Sequence, residues 1–259
     1  MNFFFFLDTT DNKLRSSVEI FNRPAALRLC KDKLKSKNII AFYTDGKKWI
    51  SQKIQLLRPY ESKIIYKKDL PFDMHDKSVF ICLSENDKIN EKQIKNENYM
   101  NSSPAWRANI KISSFYNAIS YQGEYPHSMT NKKLSLVSCS PMIQNPENAI
   151  SYFYLVNLKS NPEKKVFKIK IMDINKKILK EIFFKTNSVN NFCLNETIQQ
   201  YKQLTYIFSS DEEGGIPIYF SQSKDKLSFS LEHTHPPTEY TFEGNRMLFQ
   251  NKKKSFWHK

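Results

Sequence analysis

Phe153-Tyr154-Leu155-Val156, a polar gap, then Lys165-Val166-Phe167-Lys168-Ile169-Lys170-Ile171 is the stretch on which the fold turns. Its second part alternates apolar and charged side chains with a period of two, the pattern of a strand with one buried face. The β-branched and aromatic content agrees with that reading. An earlier stretch has the same order: Phe4-Phe5-Phe6-Leu7, a polar gap, then Ser17-Val18-Glu19-Ile20-Phe21. Each reads as a hairpin of alternating strands.

The resemblance continues downstream. Gly46-Lys47-Lys48-Trp49-Ile50 followed by Ile54-Gln55-Leu56-Leu57-Arg58-Pro59 corresponds to Asn175-Lys176-Lys177-Ile178-Leu179 followed by Ile182-Phe183-Phe184-Lys185-Thr186-Asn187. A turn signal separates two strands in both. Ser62-Lys63-Ile64-Ile65-Tyr66 then matches Asn191-Phe192-Cys193-Leu194, and Val79-Phe80-Ile81-Cys82-Leu83-Ser84 matches Ile216-Pro217-Ile218-Tyr219-Phe220-Ser221. Short strands, frequent turns and no long helical period predict an all-β, mainly antiparallel chain: two tandem, immunoglobulin-like β-sandwiches arising by internal duplication. One short helix is expected near residues 23–34, capped by Asn22, opened by Pro24 and carrying Leu27, Cys30 and Leu34 at helical spacing. The polar stretch Glu85 to Ser103 has no apolar period, which places the first domain at 1–100 and the second at 101–259. Extra strands should open the second domain, among them Ala105 to Ile112 and Leu134 to Ser138.

Composition narrows the function classes. Of 259 residues, 40% are hydrophobic and 14% aromatic, enough apolar material for a packed core. No apolar run reaches the roughly 18 residues of a membrane-spanning helix. Phe3 to Leu7 is cut short by Asp8 and reads as a buried first strand, so the chain is expected to be cytoplasmic. Cys30, Cys82, Cys139 and Cys193 stand far apart, which excludes a ribbon-type zinc site. The net charge of +14 raises nucleic acid or an anionic membrane as a partner. Only six of the 40 basic residues are arginine, however, the side chain that forks onto phosphates and reads bases. Nucleic-acid binding is therefore expected to be weak and lysine-driven, and no membrane insertion is expected.

The five glycines form no phosphate-binding loop, and no nucleophile elbow is present. The sharpest chemical cluster is Leu231-Glu232-His233-Thr234-His235-Pro236-Pro237-Thr238-Glu239. On a strand, His233 and His235 share a face, and Glu239 could complete a set for one divalent metal ion. The spacing of these residues resembles the first metal motif of the cupin family. The resemblance covers residues 233–239; Leu227 stands where the motif has glycine, and Gly244 comes earlier than the motif's next glycine. The bland reading of the pair is a strand end stopped by two prolines. A second candidate site is the loop Tyr121-Gln122-Gly123-Glu124-Tyr125-Pro126-His127, where Tyr121, Glu124, Tyr125 and His127 could bind a ligand. Trp49, Trp106 and Trp257 invite a sugar-stacking reading, although aromatics at strand spacing belong more often to a core. Together these features predict a non-enzymatic binding or accessory module with a glycan or protein ligand. The alternatives are a metal-dependent enzyme or sensor built on His233 and His235, and a weak nucleic-acid binder.

Overall fold

The computed structural model describes residues 3–8, 13–22, 35–95, 108–123, 136–141, 146–203 and 205–233. The first eight strands are β1 (Phe4–Phe5), β2 (Arg15–Phe21), β3 (Lys37–Thr44), β4 (Trp49–Leu57), β5 (Ser62–Tyr66), β6 (Phe80–Ser84), β7 (Ala108–Ser113) and β8 (Ala118–Gly123). The next eight are β9 (Leu136–Cys139), β10 (Ala149–Asn157), β11 (Val166–Met172), β12 (Ile178–Lys185), β13 (Ser188–Cys193), β14 (Ile207–Ser210), β15 (Ile216–Ser223) and β16 (Phe229–His233). Helices α1 (Glu91–Lys95) and α2 (Asn195–Tyr201) are short. The helix expected at 23–34 lies outside the described residues.

The strands form four four-stranded antiparallel sheets. Sheet I has the order β4-β3-β6-β1 and sheet II the order β5-β2-β7-β8. Sheet III has the order β13-β10-β15-β16 and sheet IV the order β12-β11-β14-β9. Adding eight to each label of sheet I yields sheet IV, and the same shift turns sheet II into sheet III. The chain therefore runs twice through one strand order.

Local details repeat as well. In the β3–β4 turn, Asp45 Oδ1 accepts from the Lys47 and Lys48 amides at 2.8 and 2.9 Å. In the β11–β12 turn, Asp173 Oδ1 accepts from the Asn175 and Lys177 amides, both at 2.8 Å. Such aspartates supply acceptors that a tight turn leaves wanting. Each turn has one residue in the left-handed region, Gly46 and Lys176. Both hairpins carry a register shift, at Ile39/Ile40 and at Ile171/Met172. The following turns place Tyr60 and Asn187 at positive φ.

These pairings change two expectations. Strand β7, read in sequence as an opening strand of the second domain, pairs with β2, Val18 facing Ile110, and Tyr121 to Gly123, read in sequence as part of a loop, belong to β8, which pairs with β7. The pairing pattern changes between Gly123 and Leu136. The matching of copies also shifts: Phe4–Phe5 corresponds to β9 rather than to Phe153-Tyr154, and β6 corresponds to β14 rather than to β15. Only the β4–β12 and β5–β13 matches stand as the sequence placed them.

Two buried clusters hold the sheets together. The smaller joins Phe153, Leu155 and Tyr219 of sheet III to Phe167, Ile169, Ile171, Phe184 and Phe208 of sheet IV. The Phe153 and Phe208 rings stack at 3.9 Å between centroids. The larger cluster contains sheet I, the inner row of sheet II (Val18, Ile20, Ile65, Ile110, Ile112), and the opposite row of sheet III (Tyr152, Tyr154, Val156, Ile216, Ile218, Phe220). Every residue of β3 is buried, and Phe3 to Leu7 are at most 1% exposed. The central strands of sheets I and III, β3, β6, β10 and β15, are thus covered on both faces, which explains their continuous apolar runs.

Candidate functional site

The chain leaving β10 forms the wall of a cleft of about 210 Å³, lined by Lys159, Ser160, Asn161, Glu163, Lys165, Thr186 and Glu213. Asn187, wholly buried and in the left-handed region, organises this wall. Its Oδ1 accepts from the Lys159 amide at 2.6 Å, and its Nδ2 donates to the Asn161 and Glu163 carbonyls at 2.7 and 2.9 Å. Thr186 Oγ1 accepts from the Lys165 amide at 2.8 Å and donates to the Glu163 carbonyl at 3.1 Å. The short polar side chains of the β12–β13 turn thus replace a strand partner for this loop.

The first half of the chain grips the same loop from the other side. Thr44 Oγ1 donates to the Pro162 carbonyl at 2.6 Å, and Trp49 Nε1 donates to the Ser160 carbonyl at 2.8 Å. The Trp49 ring stands edge-on to Phe42 and packs against the larger core, so it anchors the seam. The opposite wall depends on glycine. A Cβ on Gly215 would lie 2.7 Å from the Val156 carbonyl oxygen, closer than backbone permits. Asn157 Nδ2 donates to the Gly214 carbonyl at 2.6 Å, which fixes the segment carrying Glu213.

Across the cleft, Lys159 Nζ lies 2.5 Å from Glu213 Oε2, with side chains 15% and 17% exposed. Lys165 and Glu163 form a second, exposed pair at 3.4 Å. Burial lowers the pKa of Lys164, helped by the positive charges of Lys185 and Lys77 and opposed by Asp45. Paired charges, hydroxyls and an amide can donate and accept at close spacing. That chemistry suits a small polar, hydroxylated group, and the volume is below the roughly 300–1,000 Å³ of drug-sized pockets.

The residues singled out in sequence fall elsewhere. Tyr121 lies on β8 opposite Ile110, half-buried against the larger core, and burial raises the pKa of its hydroxyl. Glu124, Tyr125 and His127 lie outside the described residues. His233 is the last residue of β16, opposite Ile218, while His235 and Glu239 lie outside the described residues. Among the described residues no three His, Cys, Asp or Glu side chains gather as a metal site. Trp106 and Trp257 are also outside. Sequence reasoning missed Lys159 and Glu213. The available signal was Glu212-Glu213-Gly214-Gly215, where two of only five glycines adjoin two acids. Compared with family models, curated proteins and solved structures, the chain matches none.

Proposed function

We propose that the chain is a non-enzymatic binding or accessory module made of two duplicated, immunoglobulin-like β-sandwiches, dividing between Gly123 and Leu136. The identical strand order of the two halves supports the duplication. The module takes a hydroxylated ligand, a glycan in the first instance, at the loop end of the second sandwich. The observation that carries this reading is the cleft built around the Lys159–Glu213 pair. Its backbone is tied down on three sides, so little ordering entropy opposes binding. Titration of the protein with neutral mono- and oligosaccharides, followed by chemical shifts or heat, tests it. The double substitution Lys159→Gln with Glu213→Gln removes both charges together and avoids leaving one buried ion unpaired. Saturable binding that the double variant weakens at least about tenfold supports the assignment. Turnover of the sugar, or binding indifferent to the double variant, overturns it.

A second reading rests on β16, which keeps strand geometry through His233. If His233, His235 and Glu239 hold one divalent metal ion, elemental analysis finds it at one equivalent. His233→Ala and His235→Ala then each remove it, and affinity falls below about pH 6 as the imidazoles protonate.

A further inference from the structure

The turns that open β8 and β16 hold equivalent places in the two halves, and they touch. Asn117 Nδ2 in the first donates to the Leu227 carbonyl of the second at 2.5 Å. Together they present Phe115, Tyr116 and Leu227 to solvent, 92%, 76% and 57% exposed. The aromatic rings meet edge to face at 5.0 Å. Hairpin turns favour Gly, Asn and Asp because those residues suit the backbone, and Phe-Tyr brings no such advantage. Three large apolar side chains at one apex therefore mark a contact surface.

The apex is held rigidly. Ser114 Oγ accepts from the Tyr116 and Asn117 amides at 3.2 and 3.0 Å, and the Ser114 amide donates to the Asn117 carbonyl at 2.7 Å. In the second turn, Ser223 Oγ accepts from the Ser228 amide at 2.9 Å, and Asp225 Oδ1 accepts from the Leu227 amide at 3.0 Å. Cations flank the apex. Exposed Arg15 stands opposite Ser113, and exposed Lys224 precedes the Leu227 tip. Among the described residues, the acids nearest in the chain to these turns are Asp225, tied into its own turn, and Glu147 beside Asn148, whose carbonyl accepts from the Lys224 amide.

We propose that this paired-turn apex docks on an anionic lipid bilayer, with Phe115, Tyr116 and Leu227 seated among the headgroups and the flanking cations on lipid phosphates. Three observations favour a bilayer over a protein pocket. Three protruding side chains fall far short of the roughly 800 Å² per partner of a standard protein interface. Aromatic rings partition well into the headgroup layer. A charge of +14 carried mostly by lysine suits a surface whose phosphates have no fixed geometry. Docking of this kind needs no spanning segment, and among the described residues no helix is long and apolar enough to cross a membrane.

Sedimentation of the full chain with vesicles tests the proposal, independently of the glycan cleft. Binding to phosphatidylserine-containing vesicles, weaker on phosphatidylcholine alone, is the expected result. The double substitution Phe115→Ser with Tyr116→Ser should cut vesicle affinity at least about tenfold while leaving the melting temperature unchanged, because both side chains lie in solvent. A Tyr116→Trp reporter should be quenched by brominated lipid. No binding at low salt, equal binding of the double variant, or an unquenched Tyr116→Trp probe overturns the assignment. Pelleting without vesicles that the double variant abolishes would make a second copy of the chain the occupant, and also overturns it.

Discussion

Strands β2 and β10 occupy the same place in the two halves, second in the orders β5-β2-β7-β8 and β13-β10-β15-β16. Their inward rows are alike, Val18 and Ile20 in one, Phe153 and Leu155 in the other. Their outward rows are opposite in character. On β2, Glu19 faces Asn109, whose Nδ2 donates to its carboxylate at 3.2 Å. On β10, Tyr152, Tyr154 and Val156 face Phe220, Ile218 and Ile216 and disappear into the larger core. One strand order therefore serves both as a sheet with a polar outer row and as an inner layer. The outward row alone decides which, since burying it against sheet I gains hydrophobic free energy only where that row is apolar.

The largest expected effect tests whether sheet I is truly interior. Burial pushes the Cys82 thiol on β6 far up, whereas Cys139 and Cys193 are exposed. A thiol reagent at neutral pH should modify Cys193 promptly and Cys82 at least about 10³-fold more slowly, because access to Cys82 requires opening of the fold. Mass spectrometry of timed samples reads both rates. Comparable rates would mean that sheet I is not covered on both faces.

Next in size is the outward row of β10. Tyr154 is fully buried and its hydroxyl donates to the Asp8 carbonyl at 2.9 Å. Tyr154→Ala should lower the unfolding free energy by about 3–5 kcal/mol in urea titrations. Glu19→Ala on β2 should change it by no more than about 0.5 kcal/mol. Similar costs would dissolve the contrast between the strands.

Gln222 sharpens the same point from the opposite sign. It is 1% exposed on β15, opposite Ile150 and Phe229, and neither amide atom finds a hydrogen-bond partner among the described residues. Gln222→Met should stabilise the protein by about 1–3 kcal/mol, since it removes a desolvation penalty and keeps the volume. A loss of stability on thermal denaturation would mean that the amide is satisfied.

Trp49→Phe removes one hydrogen bond across the seam, that to the Ser160 carbonyl, and should cost about 1 kcal/mol beyond the lost ring area. A cost spread evenly over the whole chain in hydrogen exchange, with no local loosening of residues 158–163, would argue against a seam contact.

The smallest effect is one of pH. Burial raises the Asp8 carboxyl above its ordinary value of 3.8, and the paired Lys67 opposes that shift. A carboxyl raised in the folded state binds its proton more tightly there than in the unfolded chain. Its contribution to stability therefore grows as pH falls through the raised folded value, and levels off below 3.8. Melting temperature against pH should accordingly fall less steeply on acidification for the wild type than for Asp8→Asn, and a steeper wild-type curve would reverse the sign of the shift.

Much of this architecture is legible in the residues. The alternation of Val166 to Ile171 shows β11 directly, and Phe3 to Leu7 reads as the buried segment it is. Asp45-Gly46 and Ile174-Asn175-Lys176 each signal a turn between two strands, and the β3–β4 and β11–β12 hairpins turn there. Hydrophobic matching aligns Phe4–Leu7 with Phe153–Val156, one strand out of step with the observed pairing, because both runs are apolar for one reason: both faces are covered. A sequence records that a face is buried, but not by which sheet. For the same reason the sequence alone does not assign β7 to a half, since Ala108 to Ile112 alternates equally well against either partner.

The cleft was not legible. Lys159 and Glu213 are 54 positions apart in the chain and meet only because β10 and β15 pair and Asn157, Asn187 and Gly215 fold their flanking loops together. The sequence by itself determined the all-β class and the turn chemistry, because these depend on neighbours two to five residues apart and on local backbone preference. Only the tertiary structure decided which strands are equivalent, which outward row becomes an interior layer and which distant charges share a cleft. Those outcomes depend on long-range pairing, where many partners are locally acceptable and the burial of whole faces selects one.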